Sequence, residues 1–198
     1  ARERTGNTGD PGGTDNDHRA QGSAGVTITT AGVTKVVVTT DQGHTPGNAV
    51  AIGEILTYTV TVNVPEAVSN NVTLVDTLDP GLAFVGFDSI VLSNATAVTT
   101  SIPGGFPAVL ANRVVSNPGG TAETAGSRVS FGFGTITNTD INSGVAETIT
   151  VTYRAVVLNT TANVRGQARN NSATWTASGA VSPASAPDVT LVEPTLVV

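Results

Sequence analysis

Lys35 is the only lysine in the 198-residue chain, and it sits in VTKVVV, inside an apolar strand-like run rather than at an edge or a turn. Alternation puts Val33 and Val37 on its face. A lysine is almost never fully buried without a partner, because an isolated ammonium in an apolar medium is very costly. Two other polar residues interrupt apolar faces in the same way. Asp76 in TLVDTL shares a face with Leu74 and Leu78, and Asn171 in NSATW shares one with Ala173 and Trp175. If the three strands are adjacent, Lys35, Asp76 and Asn171 meet in the core.

That trio permits a specific reaction. Burial lowers the pKa of a lysine and raises that of an aspartate, since it disfavours each charged form. The neutral amine is a nucleophile. The protonated acid can donate to the asparagine carbonyl and shuttle protons. Attack on the side-chain amide expels ammonia and leaves a Lys–Asn isopeptide bond, a single self-crosslinking event without turnover. Enforced proximity supplies roughly 7–11 kcal/mol of the acceleration. The same residues also admit plainer roles. Lys35 could snorkel to a sheet edge or pair with Asp76 as an ion pair, Asp76 could form an Asx-type turn in DTLDPG, and Asn171 could bond a neighbouring backbone.

The elements that would position these groups are strands. The chain carries 32 Thr and 29 Val, both β-branched and suited to pleated sheets, with 22 Gly and 10 Pro to supply turns. Strand-like runs cover Val26–Thr40, Ile55–Val64, Val72–Leu78, Leu82–Phe87, Arg128–Gly134, Glu147–Leu158, Asn171–Ala177 and Val189–Val198. Segments such as NVPEAVSNN, LDPG, SNPGGTAETAGS and SGAVSPASAP read as the turns between them. In YTVTVNV, Tyr58, Val60, Val62 and Val64 alternate with Thr59, Thr61 and Asn63. In TITVTY, Ile149, Val151 and Tyr153 alternate with threonines. No segment shows a convincing helical period. Ser89–Gly126 is the least readable stretch and reads as irregular strands or a long loop. The pattern predicts an all-β, immunoglobulin-like antiparallel β-sandwich over residues 25–188. A polar, glycine-rich arm (residues 1–24) precedes it, or the tail of an earlier repeat, and a terminal strand (residues 189–198) leads into the next repeat or subunit. The opening at Ala1 reads as a processed product or a segment of something longer.

Composition excludes several functions. A net charge of −6 and a pI of 4.7 argue against nucleic acid. No apolar run approaches the ~20 residues of a spanning helix. Without cysteine there is no disulfide, zinc–thiolate site or cysteine nucleophile, and the absence of both sulfur residues suits an exposed, long-lived extracellular protein.

The segment AIGEILTYTVTVNVPEAVSNNVTLVDTLDPGLAFVGF resembles the opening of bacterial surface-protein repeats of the domain-of-unknown-function-11 type, related to isopeptide-forming fimbrial and adhesin domains. Gly53-Glu54 opens the second element, and Asp76-Thr77-Leu78 with Gly81-Leu82 the third. FGFGTITNTD, ETITVTYRAVVLN and NNSATWTASG are similar to its later segments, so the resemblance spans about residues 25–198. It implies a lysine of the first strand joined to an asparagine of a late strand with help from a mid-domain acid, and Lys35, Asp76 and Asn171 occupy those positions. DTLDPG departs from the common DTLPxG and adds Asp79 near Asp76. Asn170 beside Asn171 leaves the acceptor ambiguous.

Other signals are weaker. Asp10, Asp15, Asn16 and Asp17 form an acidic cluster in a Gly-rich segment that could bind calcium, but without EF-hand spacing or a following bidentate Glu, and a solvated linker is the better reading. No other cofactor is expected. His18 and His44 lie in polar loops. Glu54, Glu66, Glu123 and Glu147 are scattered, whereas a glycosidase needs two carboxylates converging in a cleft. Gly132 and Gly134 in FGFG precede no helix and form no dinucleotide motif. The sequons at Asn71, Asn94, Asn159 and Asn170 are expected by chance in a chain this rich in Asn and Thr. The run VTLVEPTLVV is an apolar strand that must pair, either in its own sheet or by addition to a neighbouring subunit.

The expected function is structural: a subunit or repeat of an extracellular cell-surface fibre or adhesin stalk, not an enzyme, whose partners are copies of itself or adjacent repeats in a head-to-tail array. The alternative is a glycan- or protein-binding module of a surface adhesin with a host or matrix ligand.

Overall fold

The computed structural model describes residues 31–142 and 144–192. Along the chain run β1 (Val33–Thr40), β2 (Ala49–Val50), β3 (Ile55–Val64), β4 (Ala67–Leu78), β5 (Leu82–Leu92), β6 (Val98–Thr100), a short helix α1 (Gly105–Ala111), β7 (Val114–Ser116), β8 (Arg128–Asn138), β9 (Glu147–Val157), β10 (Ala168–Arg169), β11 (Asn171–Ala177), β12 (Ala180–Ser185) and β13 (Val189–Leu191). One antiparallel sheet has the order β1-β3-β9-β5. The other has the order β12-β11-β4-β8-β6, and β7 shares the outer edge of β8 with β6. A small third sheet, β10-β13-β2, closes with a parallel pair between β13 and β2.

Alternation builds the sandwich. In β3, Leu56, Tyr58, Val60, Val62 and Val64 are buried, and in β9 so are Ile149, Val151, Tyr153, Ala155 and Val157. Between them the outward threonines pair across the strands, Thr59 with Thr152 and Thr61 with Thr150, at 3.4 Å each. The opposing sheet contributes Val72, Leu74 and Leu78 of β4, Val129, Phe131 and Phe133 of β8, and Ala173 and Trp175 of β11. Phe87 of β5 meets Phe131 of β8 nearly edge-on, with centroids 4.9 Å apart, which ties one sheet to the other. Trp175 packs on Phe133 at 5.1 Å and belongs to this core. The architecture is an immunoglobulin-like antiparallel β-sandwich.

Three segments differ from the sequence expectation. SGAVSPASAP contains a strand, β12, rather than a loop. It pairs only with β11, so Pro183 sits on an edge where its missing N–H costs no ladder bond. The hairpin turns on Ser178 and Gly179, at φ 50° and 84°, the positive angles of a two-residue primed turn. NVPEAVSNN likewise contains the start of β4, which runs through a bulge where Asn71 takes φ 51°. Within Ser89–Gly126 lie the end of β5, β6, β7 and α1. The helix has only seven residues and buries just Phe106 and Val109, too little sequence to display a period. The arm at residues 1–24 and the run beyond Val192 lie outside the described residues.

Candidate functional site

Lys35, Asp76 and Asn171 meet in the core, but not from three neighbouring strands. β4 and β11 are adjacent in one sheet, with Asp76 opposite Ala173 and Asn171 opposite Leu78. Asp76 and Asn171 are therefore diagonal neighbours on one face. β1 belongs to the opposing sheet, at its edge, with Lys35 opposite Val60. The lysine stem crosses the interior between the sheets. All three residues are buried, at 4%, 0% and 1% exposure, which removes the snorkelling explanation for Lys35.

The lysine Nζ donates to Asp76 Oδ2 and, at 2.5 Å, to Asn171 Oδ1. Its reactive nitrogen thus lies against the side-chain amide it would attack. Tyr153 Oη donates to Asp76 Oδ2 at 2.6 Å and accepts from Asn171 Nδ2 at 2.8 Å. This closes a four-membered ring of side chains: lysine to amide oxygen, amide nitrogen to phenol, phenol to carboxylate, carboxylate to lysine. Tyr58 stacks on Tyr153 with centroids 5.8 Å apart, and Nζ sits 5.5 Å from the centre of each ring. Among the described residues, Tyr58 Oη and Asp76 Oδ1 have no hydrogen-bond partner.

Burial governs the electrostatics. It pushes the Lys35 ammonium down from 10.5 to about 8, and the Asp76 charge opposes a larger drop. It pushes the Asp76 carboxyl up, against the pull of Lys35. Both shifts favour the uncharged pair, amine and carboxylic acid, over the ion pair. Burial likewise raises the Tyr58 and Tyr153 hydroxyls, with the Asp76 charge adding to both, so both phenols stay protonated. An amine of lowered basicity, a carboxylic acid and an amide in contact form the constellation needed for transamidation.

Neighbouring residues hold the asparagine strand in register. Asn170 points away from the core. Its backbone N–H donates to Asp79 Oδ2 at 2.7 Å, and its side chain donates to Ala186 O and Asp188 Oδ1. The second acid and the second asparagine thus anchor the strand start outside the interior, which singles out Asn171 as the inward group. Below them Asn163 donates to Gly81 O and Leu158 O and accepts from Arg169 Nε, all at 2.8 Å. Gly81 has φ 98°, and a Cβ there would come within 2.3 Å of Asn163 Oδ1, so the DPG turn requires glycine.

Tyr153, which the sequence shows only as alternating with threonines along its strand, is the fourth member of this ring, and Tyr58 stacks on it without joining it. They are the only tyrosines in the chain and lie on the inward faces of adjacent strands, in direct register. That pairing was the available signal. The remaining candidates do not gather. Buried Glu54 accepts from Thr45 Oγ1 and the Ala51 N–H, buried Glu147 accepts from Asn138, and Glu66 and His44 are exposed. Among the described residues, no group of three or more His, Cys, Asp or Glu side chains could hold a metal. Asp10, Asp15, Asn16, Asp17 and His18 lie outside the described residues. No described helix is long and apolar enough to cross a membrane.

No family model matches the chain, and no curated protein sequence matches it. Several solved structures are similar in fold. BcpA, the major pilin subunit of Bacillus cereus, aligns at 14% identity and TM-score 0.45 over 82% of this chain and 40% of its own. The RrgB pilus backbone of Streptococcus pneumoniae aligns at 13% and 0.44 over 75% and 31%. The major pilin SpaD of Corynebacterium diphtheriae aligns at 11% and 0.44 over 80% and 34%. The chain spans less than half the length of each.

Proposed function

We propose that this domain is a load-bearing module of an extracellular surface fibre, closed by an intramolecular isopeptide bond between Lys35 Nζ and Asn171 Cγ. The observation that carries this reading is the contact of Nζ with both the Asn171 amide and the Asp76 carboxyl inside an apolar core. The uncharged lysine attacks Cγ, Asp76 moves protons, and ammonia leaves. Held groups at contact distance supply the proximity that a free amine and amide lack in water. The bond joins a strand near the start of the domain to one near its end, so the ends of the domain become one covalent path. In the proposed organisation, residues 25–188 form the crosslinked module and residues 189–198 connect to the next subunit or repeat. β13 pairs with β2 and β10 of its own chain. The apolar run that follows would add as a strand to a neighbouring copy. Size-exclusion chromatography with electron microscopy tests assembly: head-to-tail particles are expected, and discrete monomers at all concentrations contradict the fibre role.

A glycan-binding role has less support. The open cleft of about 430 Å³ lined by Gln42, His44, Ala51, Ile52, Glu54 and Val192 contains no Phe, Tyr or Trp on which a sugar could stack.

The reading carries a pH signature. In an Asn171→Ala variant, Lys35 remains a free amine. The unfolded chain keeps that proton up to about 10.5, whereas the folded chain releases it at about 8. The unfolded state therefore binds more protons between these values, and stability rises with pH across that window. Asp76 acts in the opposite sense. Its folded pKa is raised above 3.8, so stability falls as pH climbs from that value through the folded one. In the crosslinked wild type, Lys35 is an amide nitrogen and does not titrate. Urea unfolding at a series of pH values should show the alkaline rise in the variant and not in the wild type. The same rise in both would contradict the bond.

A further inference from the structure

We infer that Tyr153 is a catalytic residue of this crosslinking, relaying a proton from Asp76 to the departing amide nitrogen of Asn171. The inference rests on the isopeptide reading above and adds a fourth group to it. Its basis is the wiring of the ring. Asp76 Oδ2 is bonded by the lysine and by Tyr153 Oη at 2.6 Å, and Tyr153 Oη also meets Asn171 Nδ2, at 2.8 Å. The acid therefore touches the nucleophile directly but reaches the leaving nitrogen through the phenol.

The direction of the second bond also fits a relay. In the unreacted amide, Nδ2 is planar, has no available lone pair, and donates to Oη. When Nζ bonds to Cγ, that carbon becomes tetrahedral and Nδ2 becomes an amine with a free lone pair. The same contact can then run from the phenol to the nitrogen. Tyr153 gives its proton to Nδ2 as the Cγ–Nδ2 bond breaks, and takes one from the Asp76 carboxylic acid. Asp76, now a carboxylate, accepts the proton that Nζ sheds in becoming an amide nitrogen. One N–H proton leaves the lysine, one arrives on the ammonia, and Tyr153 and Asp76 end as they began.

The second tyrosine provides a matched control. Tyr58 stacks on Tyr153 and is equally deep in the core, but its hydroxyl has no hydrogen-bond partner among the described residues. The test is the intact mass of denatured Tyr153→Phe and Tyr58→Phe proteins, sampled through refolding from urea, with circular dichroism and thermal unfolding to confirm the fold. Tyr58→Phe should lose ammonia at close to the wild-type rate. Tyr153→Phe should fold and lose it about 100-fold more slowly or not at all, the usual cost of a missing general acid. A purely structural role would slow both variants alike. If Tyr153→Phe does not fold, fluorotyrosine incorporated in the Tyr58→Phe background makes that single hydroxyl more acidic without removing it. The relay predicts a displaced pH–rate profile, and an unchanged profile overturns it. A wild type that crosslinks and a folded Tyr153→Phe that crosslinks equally fast overturn the relay alone. A wild type of full mass overturns the isopeptide reading and the relay with it.

Discussion

Asp76→Ala should retain the full mass of its sequence and unfold at a much lower urea concentration than the wild type. Two effects combine. Without the carboxyl nothing takes the lysine proton inside the core, so the bond does not form. The loop between the joined residues spans 136 positions, and losing its closure removes about 4–5 kcal/mol on a chain-entropy estimate. The substitution also leaves an unreacted Lys35 amine in an apolar interior without a partner, a burial cost that the crosslinked wild type does not carry. Loss of the lysine proton relieves part of that second cost, since burial already lowers its pKa to about 8. The remainder still approaches the whole stability of an ordinary domain, about 5–15 kcal/mol. Asn171→Ala should lose the bond but keep Lys35 beside Asp76, and so fall between this variant and the wild type. Equal stability of wild type and Asp76→Ala in urea titrations would refute this account of the core.

Pulled from its two ends, the domain should barely lengthen. Force entering near β1 passes at Lys35 into Asn171 and leaves through β12 and β13, so the residues between positions 35 and 171 carry no load. The Asn171→Ala chain has no such bypass. Once its sheets separate, those 136 positions extend, adding on the order of 450 Å at about 3.3–3.6 Å per residue. Single-molecule force spectroscopy separates the two cases without calibration against a model. A long unfolding step in the wild type equal to that of the variant would exclude the bond as a mechanical device. The contrast also bears on proteolysis, because a chain that cannot open from its ends exposes few extended segments.

Much of this site is legible in the residues. A single lysine in the middle of a valine strand, an aspartate between leucines and an asparagine on the face of Trp175 each violate the inside–outside rule, and paired violations are the usual solution. Alternation puts Tyr58 and Tyr153 on the apolar faces of their strands and Asn171 on the face of Ala173 and Trp175, whereas the choice between Asn170 and Asn171 rests on the folded structure, in which Asn170 is held outside by Asp79, Ala186 and Asp188. What periodicity does not contain is which strands face each other. Lys35 reaches Asp76 across the sandwich, not along a sheet, and only the tertiary arrangement brings β1 over β4 and β11. For the same reason the sequence shows Tyr153 only as one member of an alternating face, since its hydroxyl meets Asp76 and Asn171 only in the folded domain. The misread elements have local causes. Pro183 disguised an edge strand as a loop, Asn70 and Asn71 disguised a bulged strand as a turn, and the helix Gly105–Ala111 is too short to reveal a 3.6-residue period.

The most direct measurement is the intact mass of the denatured wild-type chain, followed by peptide mapping around Lys35 and Asn171. The account predicts a mass lower than the sequence by one ammonia, with the peptides containing Lys35 and Asn171 recovered as one branched species. An unshifted mass, with the two peptides recovered separately, would contradict it and leave Lys35 and Asp76 as a buried pair.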